Sequence, residues 1–282
     1  MSDAAIDPRL SKLVRQHAQT SALLGVDFVP AYRTGSGDDR PSPSAGAPDQ
    51  TSLLPEIETK PGTAWDPSLG PVAHDGRERG RVQAALNAIR VRYEADAPHK
   101  QFVTAHHNIV FGEGDPCAKL MFIGEAPGAD EDRTGRPFVG RAGQLLDKMI
   151  VAMGLRRCEV YIANVLKTRP PNNATPTITE AQLCAPYLYD QIAAIRPLAI
   201  VTLGLPASRL ILGSDQSMGS LRGRWAEWRH PDQLAHADVA VPVMPTFHPA
   251  FLLRAYTPEN RTKVWADLKM VMDRLGVHPA KA

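Results

Sequence analysis

Four short apolar runs, alternating with stretches of helical spacing, constrain this chain more than any other feature. The runs are residues 120–123, 160–165, 199–203 and 241–247. Each has the length of a strand and is apolar nearly throughout, so both of its faces must be covered. Between the runs, Leu145, Leu146, Met149, Ile150 and Met153 form a helical stripe closed by Gly154. Thr177 and Glu180 form a capping box that opens a second helix, which Pro186 should kink or split. Thr257 and Pro258 open a last helix with the stripe Val264, Leu268, Val271, Met272 and Leu275. This alternation predicts an α/β fold, a three-layer αβα sandwich around a central, mainly parallel four-stranded sheet. Pro242 and Pro245 predict an edge or irregular position for the fourth strand. Ligands of such sheets bind at the carboxyl ends of strands, here Gly124 onward, Asn164 onward and His248.

The chain divides by composition. Residues 34–76 are rich in Pro, Gly, Ser, Thr and Asp, and too poor in apolar residues to offset their ordering entropy. They read as a linker or loose loop. Residues 1–33 read as an N-terminal helical segment, with Leu10, Leu13 and Val14 at helical spacing. Residues 19–24 are similar to a sliding-clamp binding peptide, although a small docking helix is the preferred reading. Residues 77–282 hold the domain that carries the chemistry, opening with a basic amphipathic helix over 77–95.

A net charge of +2 is too mild to imply a polyanionic partner, so any nucleic-acid contact must come from a local basic face. Three widely spaced cysteines, Cys117, Cys158 and Cys184, argue for a reducing compartment and against a disulfide framework or a cysteine-rich metal site. The pair His106-His107 lacks zinc-site spacing and reads as a loop feature, so no metal is expected. No run approaches the roughly 20 apolar residues of a membrane span. No secretory leader is visible either. The expected location is the cytoplasm, with no membrane partner.

The chemistry-bearing residues sit just after the strands. Gly124-Glu125-Ala126-Pro127-Gly128 makes a tight turn that exposes backbone N–H groups and places Glu125 in the crevice, although an ordinary turn has the same composition. The following segment contains Arg133, Arg136, Phe138 and Arg141. A Phe held between Pro and Gly residues offers a stacking surface for a base, and the arginines suit phosphates. A solvated charged loop is the alternative. Asn164 can donate and accept together, and so can read a base edge. His248, fixed by Pro249, suits an acid or oxyanion partner. Taken singly, either residue would also fit a structural role. The apolar run after His248 ends in Arg254 and looks like a wedge with a phosphate anchor.

Taken together, residues 124–146, Asn164 after its strand and His248-Pro249 closely resemble the uracil-DNA glycosylase superfamily, with family 4 the nearest branch. The resemblance covers about residues 90 to 275. It includes Phe111-Gly112-Glu113-Gly114, Lys167-Thr168-Arg169-Pro170-Pro171 and Leu221-Arg222-Gly223-Arg224-Trp225. It implies a monomeric, cofactor-free enzyme that flips uracil from single- or double-stranded DNA and hydrolyses its glycosidic bond. Phe138 would stack on uracil beside Gly124, Asn164 would bond its N3 and O4 edge, and His248 would bond the developing anion at O2. Arg136, Arg141 and Arg254 would contact DNA, with Leu252 filling the gap in the helix. In another branch an Asp orients water where Ala126 stands here, and an aromatic excludes thymine where Gly128 stands. Glu125 is therefore expected to orient water or stabilise the sugar cation, and Glu131 to crowd the uracil C5 position. Family 4 members also carry four cysteine ligands to an iron–sulfur cluster. By the resemblance those positions fall at Glu94, Ala97, Thr168 and Cys184, so one thiol remains and the cluster is expected to be missing. A binder that holds uracil or abasic DNA without cutting is the alternative. A covalent trap is disfavoured, since residues 167–184 contain no His. A nucleotide hydrolase is disfavoured too, since no Lys–Ser/Thr pair follows the Gly turn.

Overall fold

Strands β2 (Leu120–Gly124), β3 (Tyr161–Asn164), β4 (Ala199–Leu203) and β6 (Ala240–Thr246) run parallel in the order β3-β2-β4-β6. The computed structural model describes residues 75–236 and 238–278. The helical reading of residues 1–33, the clamp-like peptide and nearly all of the loop over 34–76 lie outside the described residues. Side chains alternate between two cores, as a strand covered on both faces requires. Met121, Ile123, Ile200 and Val243 enter one core, together with helices α1 (Arg79–Asp96), α4 (Ile178–Ile195) and α5 (Leu205–Leu212). Leu120, Phe122, Val201 and Met244 enter the other, together with α3 (Arg141–Ala152), α7 (Pro249–Arg254) and α8 (Pro258–Leu275). This is the predicted three-layer arrangement. Among the described residues no helix is long and apolar enough to cross a membrane.

The sheet has six strands rather than four. The short β1 (Glu113–Gly114) adds antiparallel to β3, and β5 (Ala226–Arg229) adds antiparallel to β6. The fourth expected strand is therefore not at the edge. Its prolines are tolerated because its two neighbours divide it: β5 pairs with residues 240–243 and β4 with residues 243–246, overlapping only at Val243. Pro242 and Pro245 each fall in a half with one partner, where a missing N–H leaves a single ladder incomplete.

Pro186 does not split α4. The helix runs unbroken from its capping box, in which the Thr177 side chain accepts from Glu180 N at 3.2 Å and Glu180 Oε2 accepts from Thr177 N at 2.7 Å. The proline removes one internal hydrogen bond, but the buried face formed by Cys184, Leu188, Ile192 and Ile195 holds the helix together across the gap.

Chain order sends β3 to one side of β2 and β4 to the other. The crossovers α3 and α4 consequently cover opposite faces, and a crevice opens at the carboxyl ends of β2 and β3. A buried network ties the end of β6 to α8. Asp267 is 1 % exposed, accepts from Thr246 Oγ1 at 2.6 Å and pairs with Arg222 Nη2 at 2.6 Å. Arg222 follows α6 (Met218–Leu221) and also donates to the Lys263 carbonyl at 2.6 Å. Arg222→Ala would leave a buried carboxylate without its counter-charge. It should lower unfolding free energy by about 3–5 kcal/mol in urea titrations; a loss under about 1 kcal/mol would refute this role.

Candidate active site

Gly124 and Asn164 are paired neighbours at the ends of β2 and β3. A Cβ on Gly124 would lie 2.4 Å from Asn164 Oδ1 and 2.5 Å from Phe138 Cζ, so the missing side chain is what lets the amide and the ring converge. Asn164 is 1 % exposed, and its Oδ1 has no hydrogen-bond partner. A buried acceptor without a protein partner costs about 1–3 kcal/mol, a cost that a ligand donor reaching Oδ1 would offset.

Phe138 lies in the loop between α2 (Ala129–Thr134) and α3, with φ 50°. A non-glycine residue in this left-handed region is strained by about 1–3 kcal/mol and needs external support. That support comes from three directions. Glu131 Oε1 accepts from the N–H groups of Val139 at 2.9 Å and Gly140 at 3.0 Å, while its Oε2 accepts from Gly128 N at 3.1 Å. Arg157 donates to the carbonyls of Phe138 at 3.1 Å and Pro137 at 2.5 Å. The same guanidinium pairs with Glu113 at 2.7 Å and Asp147 at 2.6 Å. Gly143 completes the seat: a Cβ there would lie 1.9 Å from the Phe138 carbonyl oxygen.

The Phe138 ring lies 5.6 Å from the His248 ring, tilted by 31°. His248 caps α7 with its own ring, as Nδ1 accepts from Ala250 N at 3.0 Å. Burial, reinforced by the Arg254 charge, pulls the imidazole down to about 4. At neutral pH the ring is therefore uncharged. With Nδ1 accepting, its proton sits on Nε2, available for donation. Glu125 follows β2 and is shifted the other way: burial raises it to about 7 against the opposing influence of Thr175 and Arg254. Arg254 thus acts on both Glu125 and His248, which share one electrostatic neighbourhood.

Asn164 is held from below by a buried lysine. Lys167 is fully buried, and its ammonium donates to the Asn164 carbonyl at 2.8 Å and to Gln191 Oε1 at 2.6 Å. Burial pulls it down to about 7. Gln191 in turn donates to the Phe111 carbonyl at 3.1 Å.

The structure brings Gly124, Phe138, Asn164 and His248 together, with Glu125 and Arg254 beside them. Arg141 and Arg254 are exposed and make no ion pair among the described residues. Three expectations change. Leu252 is 3 % exposed and packed in the core, so it cannot be the wedge as the fold stands. The run after His248 is a helix, where successive residues turn by about 100°, and inward Leu252 leaves Leu253 half-exposed. Arg136 is taken up by a two-pronged pair with Glu113, at 2.8 and 3.2 Å, and braces the loop. The Glu131 carboxylate is committed to three backbone N–H groups and shapes the crevice through them. Sequence reading missed Arg157, Lys167 and Gly143. Lys167 and Gly143 carried a signal, since both lie in segments that resemble the family, whereas Arg157 carried none.

The family model for the uracil DNA glycosylase superfamily matches residues 111–269, a span that contains every residue of this site from Phe111 to Asp267. A type-4 uracil-DNA glycosylase of Thermotoga maritima is 44 % identical over 163 residues, covering 57 % of this chain and 80 % of that protein. One from Sulfurisphaera tokodaii is 42 % identical over 179 residues, covering 62 % of this chain and 77 % of that protein. A type-5 uracil-DNA glycosylase of Pyrobaculum aerophilum is 34 % identical over 153 residues, covering 49 % of this chain and 63 % of that protein. The family model spans more than half of this chain, and together with these relatives it places the chain in the uracil-DNA glycosylase superfamily, among its type-4 members.

Proposed function

We propose that this protein excises uracil from DNA by flipping the nucleotide into the crevice and hydrolysing its N-glycosidic bond, which leaves an abasic site. The observation that carries this reading is the partnerless Oδ1 of buried Asn164 beside the Phe138 ring. Uracil stacks on Phe138, gives its N3–H to Oδ1 and takes the amide N–H at O4. Cytosine presents the reverse pattern and would leave Asn164 unpaired. As the bond breaks, charge develops on the base, and His248 Nε2–H is the donor for O2. A neutral imidazole suffices, since the proton is shared in a hydrogen bond and not transferred. Ionised Glu125 orients the attacking water or stabilises the sugar cation. Discrimination at C5 falls to the walls that Glu131 holds in place. Arg141 and Arg254 take phosphates, and Leu253 replaces Leu252 as the residue that fills the gap in duplex DNA. One chain supplies every group named here, which is compatible with action as a monomer, and the proposed location is the cytoplasm.

The decisive experiment is single-turnover release of uracil from an oligonucleotide, followed by alkaline cleavage. Wild type should cut, Asn164→Asp should be impaired, and His248→Ala should be slower by about 10²–10³ with DNA binding retained. Leu253→Ala should lose more on duplex than on single strands. A wild type that binds uracil DNA but never releases the base would establish the non-catalytic alternative.

The pH profile follows from the two shifts. Glu125 acts ionised and has been raised to about 7, so the rate should climb as pH rises through that value. His248, at about 4, stays neutral over the same range and adds no slope. Glu125→Gln should be slow and flat between pH 6 and pH 8, by expectation from a general base near 7. An unchanged slope in that variant would assign the ionisation elsewhere.

We further infer that the chain works without an iron–sulfur cluster. The residues at the four positions do not fit one, and three considerations support this. Glu94 is half-exposed and paired with Arg90 at 2.8 Å. Ala97 offers no donor, and burial raises the Cys184 thiol to about 11, away from the thiolate a cluster needs. The fully buried Tyr93 ring packs edge-on against Tyr187 at 5.0 Å and stacks on His99 at 5.4 Å, which joins α1 to α4 by aromatic contact. Anaerobically purified protein should be colourless and free of iron, and Cys184→Ser should keep its activity. Stoichiometric iron would overturn this inference.

A further inference from the structure

We propose that Asp190, His230 and His236 form a binding site for a divalent transition-metal ion of the zinc class. Their ligand atoms all lie within 4.8 Å of one another. Asp190 is on α4, His230 follows β5, and His236 lies in the loop before β6. Asn164 and His248 mark the carboxyl ends of the parallel strands, whereas His230 adjoins Ala240 at the start of β6. The three residues are therefore at the opposite end of the sheet from the base-binding crevice.

His230 carries the proposal. It is 6 % exposed, and its buried Nε2 has no hydrogen-bond partner. The nearest acceptor, Asp190 Oδ1, stands 3.4 Å away. That is long for an N–H···O bond, but it matches the edge of a zinc tetrahedron: bonds of about 2.0–2.1 Å at tetrahedral angles put ligand atoms about 3.3 Å apart. The His236 ring packs against His230 with centroids 4.2 Å apart, bringing the second imidazole to the same point. Asp190 is oriented from behind, since its Oδ2 is held by Arg92 while Oδ1 faces the histidines.

Two imidazoles and one carboxylate are a donor set for zinc and its neighbours, not for magnesium or calcium, which favour oxygen. The remaining positions open onto a cavity of 580 Å³ lined by Arg92, Tyr187 and Asp232, with room for water ligands. His230 Nδ1 now accepts from Asp232 N at 3.1 Å. Metal at Nε2 moves the ring proton to Nδ1, so this one part-buried turn bond is exchanged for a metal bond. The ion would pin the loop over 230–239 to α4.

The test is titration of tag-free, chelator-treated, full-length protein with Zn²⁺ alone, followed by calorimetry and thermal unfolding, with Mg²⁺ in a parallel arm. The expected result is one Zn²⁺ per chain with a raised melting temperature, and no response to Mg²⁺. His236→Ala and Asp190→Asn should each weaken binding at least about tenfold while uracil release stays unchanged. His236 is half-exposed, so its loss should leave the fold intact. Absence of stoichiometric Zn²⁺ binding, or wild-type affinity in both variants, would overturn the proposal; the latter would place the ion elsewhere, such as at His106 and His107.

Discussion

The site depends on the backbone of Phe138 being held in a left-handed conformation that a phenylalanine does not choose for itself. Two opposite charges grip one short loop. The Glu131 carboxylate takes its N–H groups, and the Arg157 guanidinium takes its carbonyls. Charge-assisted bonds of this kind are about twice as strong as neutral ones, enough together to outweigh a strain of about 1–3 kcal/mol. Arg157 is itself locked by Glu113 and Asp147, so the ring is anchored through β1 and α3 as well as through its own loop. A ring fixed in this way would lose little freedom on stacking with a ligand.

The second wall is built on a different principle. Asn164 hangs from a strand end whose carbonyl is held by Lys167, a cation sunk fully into the protein. Burial weakens its hold on its proton, yet two good acceptors keep the nitrogen in place whether or not it is charged. Lys167 thereby connects the amide to Gln191 on α4 and to the Phe111 carbonyl. Fixing the amide from beneath leaves its side chain facing the crevice with one acceptor unspent.

The legible part of this protein was the part written locally. Short, nearly continuous apolar runs marked the four central strands, and the residues at their ends, Gly124, Asn164 and His248, became candidates only in combination with the family resemblance. The capping box at Thr177 was legible because its partners are three residues apart. Arg157 was not, because it meets Glu113 across 44 positions and its carbonyl partners are backbone, which leaves no trace in side-chain identity. Arg136 misled for a related reason: an arginine in a loop looks free until the fold supplies its carboxylate. Leu252 and Leu253 are adjacent and chemically identical, so only the rotation of α7 decides which faces the core. The edge strands offered no apolar run: β1 has only two residues, and in β5 the charged Glu227 and Arg229 interrupt Ala226 and Trp228.

Asn164 also bears on how sturdy the molecule can be. Its amide oxygen is buried without a protein partner, which costs the resting fold about 1–3 kcal/mol. Evolution toward greater robustness would remove such a group first, since an apolar side chain of the same shape packs there without penalty. Substitutions at position 164 would therefore belong among the stabilising ones, and selection for heat resistance alone would drive the enzyme toward a sturdier protein without the open acceptor that the proposed reading of uracil requires.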